Sequence, residues 1–155
     1  MSFFTKIAGV TFRNPDGSSR QRIIKECRVG EALLLIREPD NPIDKFAVKV
    51  VRGNGQQLGY LGRNIAREGD RSGIAYRMDR GDKYLCRISD ITGGGAGLSY
   101  GVNIEIREAD EAEVRTDAET SNANARSDSA PTAIQLLILL AIVGIAILSV
   151  VMIER

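Results

Sequence analysis

Three polar side chains on one short stretch are the residues best suited to chemistry. They are Asp40, Asn41 and Asp44, within Arg37-Glu38-Pro39-Asp40-Asn41-Pro42-Ile43-Asp44-Lys45-Phe46-Ala47-Val48-Lys49-Val50. Two carboxylates four residues apart could in principle share a magnesium ion with a nucleotide. Hydrolysis there would also need a base and a nucleophile, and no such pair is evident. There is no histidine, which removes the commonest general base and the commonest zinc ligand together. Cys27 and Cys86 are far apart, so no metal constellation is evident. Gly93-Gly94-Gly95-Ala96-Gly97 lacks a following Lys-Ser/Thr and misses the dinucleotide spacing, so it reads as a flexible hairpin loop and not as a phosphate cradle. The chain is therefore read as a non-catalytic binding module with no metal and no cofactor.

The stretch has the build of a stiff loop. Pro39 and Pro42 fix their own φ and push Glu38 and Asn41 towards extended geometry. A loop made this way loses little entropy on ordering. The apolar run Ala32 to Ile36 reads as a buried strand before it, and Ala47-Val48-Lys49-Val50-Val51 as the next strand. A rigid loop between two strands suits a binding site. The same residues also suit a plain connector in which Asp and Asn side chains accept nearby backbone N–H groups as Asx-turns. Both readings stand on the sequence.

The remaining elements follow from periodicity. Phe3 to Phe12 reads as a first strand, with Phe4, Lys6, Ala8 and Val10 on one face. Asn14-Pro15-Asp16-Gly17-Ser18 is a turn by composition. Ser18 or Ser19 caps a helix over Arg20 to Cys27 that turns Ile23 and Ile24 inward. Strands are predicted over Glu31–Arg37, Ala47–Arg52 and Gln57–Leu61, the last two joined by a Gly53-Asn54-Gly55 turn. Gly69 and Gly73 split Arg63 to Arg80 into two short helices, with Asp70 as candidate cap for the second and Gly81 as its stop. Tyr84–Ile91 and Tyr100–Arg107 alternate as strands. Five or six strands with a helical insertion match a small barrel, and the pattern alone leaves all-β and α+β both open.

Charge divides the chain. Residues 1–107 hold 18 Lys/Arg against 12 Asp/Glu, and residues 108–130 hold two Arg against seven acids. A mildly basic domain suits a polyanion partner. Residues 108–132 contain Val114 as their only large apolar residue and are expected to form an acidic disordered linker with a reach of roughly 27 Å. Ala133 to Ile153 is 21 residues without a charge, 14 of them Leu, Ile or Val. As a helix it would extend about 32 Å, against about 30 Å of hydrocarbon. It is predicted to be a transmembrane helix, a single-pass C-terminal anchor. Met1 to Val10 does not resemble an export signal. The soluble domain is therefore expected to be cytoplasmic, with both thiols reduced and buried.

The run Arg37 to Asp44, then Ala47-Val48-Lys49-Val50, then Gly55 to Gly59-Tyr60-Leu61, resembles the HIRAN domain. Ile7-Ala8-Gly9-Val10-Thr11-Phe12 and the paired Arg20-Gln21 fit it too, and the resemblance covers roughly residues 3 to 107. It implies a mainly β fold with short helices, a small OB-like β-barrel over residues 1–107 that holds the 3′ end of single-stranded DNA. In that family the barrel is often fused to a helicase-like ATPase, which is absent from this sequence. Carried onto this sequence, the pocket lies at the end of the barrel around Phe12 and the loop Asn41 to Asp44. Asp44 accepts a bond from the terminal hydroxyl and Phe12 stacks on a base. Ile43 stands where DNA-binding members often have Tyr; it can pack against a base but cannot stack. Phe46 is a candidate to compensate. Arg20, Arg22, Lys25, Lys45, Lys49, Arg63, Arg67 and Arg71 are candidates for phosphate contacts. The expected function is a membrane-tethered module for single-stranded DNA in repair or processing. The alternative is a membrane-anchored adaptor that binds a protein partner, a peptide or a domain, through the Pro39–Phe46 loop.

Overall fold

The computed structural model describes residues 2–67, 73–110, 112–117, 119 and 120. Its first strand, β1 (Ser2–Ala8), turns Phe3, Thr5 and Ile7 inward and leaves Phe4, Lys6 and Ala8 exposed, as the alternation predicts. It stops at Ala8, short of Phe12. Gly9 adopts φ 73°, and the Phe12 N–H donates to its carbonyl at 3.2 Å, so the chain turns out of the sheet. Helix α1 (Arg20–Lys25) is capped by the Ser19 hydroxyl, which accepts from the Arg22 N–H.

Strands β2 (Ala32–Arg37), β3 (Val48–Arg52) and β4 (Gln57–Leu61) lie close to their predicted places. The helical insertion is two helices, α2 (Arg63–Arg67) and α3 (Ile74–Asp79). The N-cap of α3 is Gly73, without a side-chain bond; Asp70, the predicted cap, lies outside the described residues. The long hairpin β5 (Lys83–Thr92) and β6 (Gly101–Ala109) completes the sheet.

The strands close into an antiparallel barrel in the order β1-β4-β3-β2-β5-β6, with β6 pairing back to β1. Closure removes every free sheet edge. Ile23 and Ile24 of α1 join Val48, Val50, Leu58, Ile88, Ile104 and Ile106 in one core. Cys27 and Cys86 are buried in it as free thiols. Register matters most around β4. Ala8 and Lys49 both pair with Tyr60, so the three face outward in a row across β1, β4 and β3. A Cβ at Gly59 would collide with the Ala8 carbonyl oxygen, so glycine is what lets β1 and β4 close.

The expected disordered linker begins differently. Strand β6 carries through Ala109, and residues 112–117 are helical. Asp110 and Glu113 cap each other, the Glu113 N–H donating to Asp110 Oδ1 at 2.8 Å and the Asp110 N–H to Glu113 Oε2 at 3.1 Å. Composition hid this box, because one reciprocal cap orders a turn that apolar content alone would not. The span predicted over 133–153 lies outside the described residues; among those described, no helix is long and apolar enough to cross a membrane.

Candidate functional site

Phe12 is presented by a braced turn. Its ring is 67 % exposed. Beneath it, Arg20 is 5 % exposed and donates from Nε to Asn14 Oδ1 at 2.7 Å and from Nη1 to the Gly9 carbonyl at 2.9 Å. Asn14 is itself buried and donates to the Gln57 carbonyl at 3.1 Å. A Cβ on Gly9 would stand 3.1 Å from Arg20 Nη1 and 3.2 Å from Phe12 Cδ2, so both its positive φ and the close packing call for glycine. Burial lowers the Arg20 pKa, opposed by Tyr60 and Glu38, and the guanidinium stays charged. The sequence offered Arg20 as a phosphate contact; the structure makes it an internal tie. Gln21 joins the same turn to the β5–β6 hairpin, donating to the Val10 and Tyr100 carbonyls at 3.0 Å each and accepting from the Tyr100 N–H at 2.7 Å.

The second element is the loop between β2 and β3. Asn41 Oδ1 accepts from the N–H groups of Ile43 and Asp44 at 3.0 and 3.1 Å, and its Nδ2 donates to Glu38 at 2.9 Å. Asp44 Oδ1 accepts from the Phe46 N–H at 2.9 Å, while its Oδ2 pairs with Arg63 Nε at 3.2 Å. The Asx-turn reading of Asn41 and Asp44 is thus realised. Asp44 is not the vacant acceptor that the resemblance implied, since each oxygen has a partner. Ile43 projects and is 86 % exposed. Phe46 packs half-buried against the core, with Lys45 Nζ and the Arg67 guanidinium each 5.2 Å from its ring centre. Its ring is already engaged, so it does not replace an aromatic at position 43.

Tyr60 links the two elements, and it was missing from the sequence-derived set. Arg20 lies over its ring at 5.4 Å, and it hydrogen-bonds Glu38. Glu38 also pairs with Lys49 at 2.6 Å. Burial would raise the Glu38 pKa, but the bonds from Lys49, Asn41 and Tyr60 outweigh it and hold the carboxyl below the usual glutamate value. Lys49 is therefore a counter-ion rather than an open phosphate contact. The signal for Tyr60 was available, since it alternates outward on β4 beside Gly59. Arg71 lies outside the described residues, and Arg22 and Lys25 are exposed along α1.

The Phe12 turn is fastened at the Gln57 end of β4, and Asp44 at Arg63 just past its Leu61 end. They flank an outer face roughly 13 Å long, from the rise of a five-residue strand. That face offers an exposed ring at Phe12, an exposed aliphatic at Ile43 and an exposed guanidinium at Arg63. The Asp44–Arg63 pair has Arg63 68 % exposed, and such pairs contribute only about 0–1 kcal/mol, so a ligand phosphate can compete for the arginine. Among the described residues no group of three or more His, Cys, Asp or Glu is arranged to hold a metal ion.

Residues 1–70 match the family model of the HIRAN domain. The rabbit (Oryctolagus cuniculus) helicase-like transcription factor is 36 % identical over 76 residues, 49 % of this chain and 7 % of that protein. The mouse (Mus musculus) protein of the same name is 47 % identical over 70 residues, 45 % of this chain and 6 % of its own length. The chain thus spans less than a tenth of these relatives. In fold it is similar to a crystal structure of a protein from Lactobacillus plantarum, with TM-score 0.50, 19 % identity, and coverage of 70 % of this chain and 100 % of that one. The crystal structure of the HIRAN domain of human HLTF gives TM-score 0.47 at 20 % identity, covering 83 % of this chain and 89 % of that one. Residues 1–70, which carry β1 to β4 of the six-stranded barrel, are recognised as a HIRAN domain.

Proposed function

We propose that this chain is a membrane-tethered module whose HIRAN barrel takes hold of single-stranded DNA at its 3′ end, in repair or processing. A HIRAN domain is consistent with a nucleic-acid-binding module. The observation that carries the finer reading is the exposed Asp44–Arg63 pair, fixed by Asn41 and accompanied by exposed Phe12 and Ile43. A strand-end phosphate would draw Arg63 from Asp44, and Oδ2 would then accept the terminal hydroxyl. Phe12 would stack on a base, with Lys45 and Arg67 supplying further positive charge. A strand with a blocked end would leave that carboxylate oxygen unpaired, a cost of about 1–3 kcal/mol or roughly 5- to 150-fold in affinity. The test compares oligonucleotides with free and blocked 3′ ends on the full-length chain and on Asp44→Asn. Preference for the free end, abolished in the variant, is expected; equal affinity in the parent overturns the role of Asp44.

Tethering rests on Ala133–Ile153, whose 21 uncharged residues match the hydrocarbon thickness. With that segment as anchor, the barrel faces the cytoplasm. Alkaline extraction of membranes checks it: the full-length chain should stay in the pellet, and its release into the supernatant would sink the anchor.

A second reading has one observation in its favour. Ile43 is an aliphatic side chain at 86 % exposure on a pinned loop, which suits a peptide or partner domain better than a base. A protein partner retained after nuclease treatment and lost on Ile43→Asp would favour an adaptor.

A further inference from the structure

On the side of the barrel across from β3 and β4, the acidic segment after β6 is fastened to two arginines. Arg107 Nη1 pairs with Glu113 Oε1 at 2.9 Å, their side chains 43 % and 44 % exposed, and Arg87, 46 % exposed, pairs with Asp117, 15 % exposed. Glu113 and Asp117 are four apart, so one helix face carries both pairs. Val114, between them, is half-buried. Leu85 shares the outward parity of Lys83 and Arg87 yet is 8 % exposed. It stands opposite Arg107 in the ladder, so a segment paired to Arg107 and Arg87 spans it. Residues 110–120 hold five acids and one arginine. The bond from Arg107 keeps the Glu113 carboxyl below its ordinary range.

We infer that Asp110 and residues 112–117 form an acidic clasp that occupies Arg87 and Arg107 in cis and keeps polyanions off the face of the barrel opposite Tyr60. Nucleic acid is thereby confined to the β4 face. The clasp is a specificity device: it removes positions that would otherwise hold phosphates without regard to strand ends. This rests on the nucleic-acid reading, and its test is separable from that reading because it uses a strand without ends.

The probe is closed circular single-stranded DNA, titrated at several salt concentrations with the full-length chain and with Glu113→Gln/Asp117→Asn. Glutamine still serves a capping box, so the turn is retained. Two unmasked arginines steepen the salt slope by about 1.4, at about 0.7 per contact on single strands. Between 200 and 50 mM salt the variant then gains about sevenfold more affinity than the parent. Adding Arg87→Gln and Arg107→Gln should return the parental slope. Identical slopes for parent and variant overturn the clasp. Amide exchange gives a second reading: the Val114 N–H, bonded to the Asp110 carbonyl, should exchange faster in the parent carrying Arg87→Gln/Arg107→Gln, and unchanged exchange also overturns it. If linear strands show no end preference, the end-binding role falls, and the circle slopes still decide the clasp.

Discussion

Replacing Arg20 with methionine separates the two roles available to it. As a phosphate contact, Arg20→Met would weaken nucleic-acid binding and leave the fold alone. As the tie seen in the structure, it would weaken the fold. The loss can be worked bond by bond. Asn14 is 7 % exposed, so its Oδ1, abandoned by Arg20 Nε at 2.7 Å, becomes an unpaired buried acceptor at a cost of about 1–3 kcal/mol. The Gly9 carbonyl is half-exposed and recovers much of its bond from water. The guanidinium over Tyr60 contributes about 0.5–1 kcal/mol. Methionine restores volume and removes the cost of burying a charge. A net loss of about 2–3 kcal/mol remains, which accelerates the slowest-exchanging barrel amides by roughly 30- to 150-fold. Amide exchange on the full-length chain reads this at Ile104 and Ile106, the centre of the core. Acceleration under about threefold, with a fall in oligonucleotide affinity, would refute the tie and return Arg20 to the phosphate contacts.

Other outcomes follow from the same geometry. Arg63→Gln should change stability by less than about 0.5 kcal/mol, because its pair is exposed, while flattening the salt dependence of single-strand binding by about 0.7; a large loss of stability would contradict this. Ile43→Tyr should leave stability unchanged at its 86 % exposed site and tighten single-strand binding by about 1–3 kcal/mol through stacking, measured by fluorescence anisotropy. Weaker binding would favour a peptide ligand. Burial pushes the Cys27 thiol up to about 11 and the Cys86 thiol up to about 12. Folded values above the ordinary 9.0 mean that the neutral thiols' stability is fully present below pH 9 and is lost as pH climbs from there through 11 and 12. Denaturation midpoints should therefore fall across that window and not below it, and a thiol reagent should label neither cysteine at pH 8 until the chain unfolds.

What was legible in the sequence was the part set by local pattern. Alternation placed β1's faces, and the Ser18-Ser19 pair marked the start of α1, with Ser19 the cap. Gly53-Asn54-Gly55 fixed the β3–β4 turn. Pairing across distant strands was not legible, and that is where the site is made. Gln57 is 43 residues from Asn14, yet with Arg20 the two build the floor under Phe12. Nothing local says that Arg20 is buried, since arginine at a helix start usually faces water. The outward place of Tyr60 on β4 was legible; its contacts were not, because its neighbours Arg20 and Glu38 come from other elements. The two roles offered for Asp44, connector and ligand acceptor, differ only in what its second oxygen meets, and Arg63 supplies that partner from beyond β4.

The most direct check is to titrate a short single-stranded oligonucleotide with a free 3′ end into the full-length chain and follow backbone amide shifts. A ligand on the outer face of β4 predicts the largest changes at Phe12, Ile43, Asp44, Tyr60 and Arg63, with Arg87 and Arg107 silent under the clasp. Shifts confined to β5 and β6, or none at saturating oligonucleotide, would contradict it.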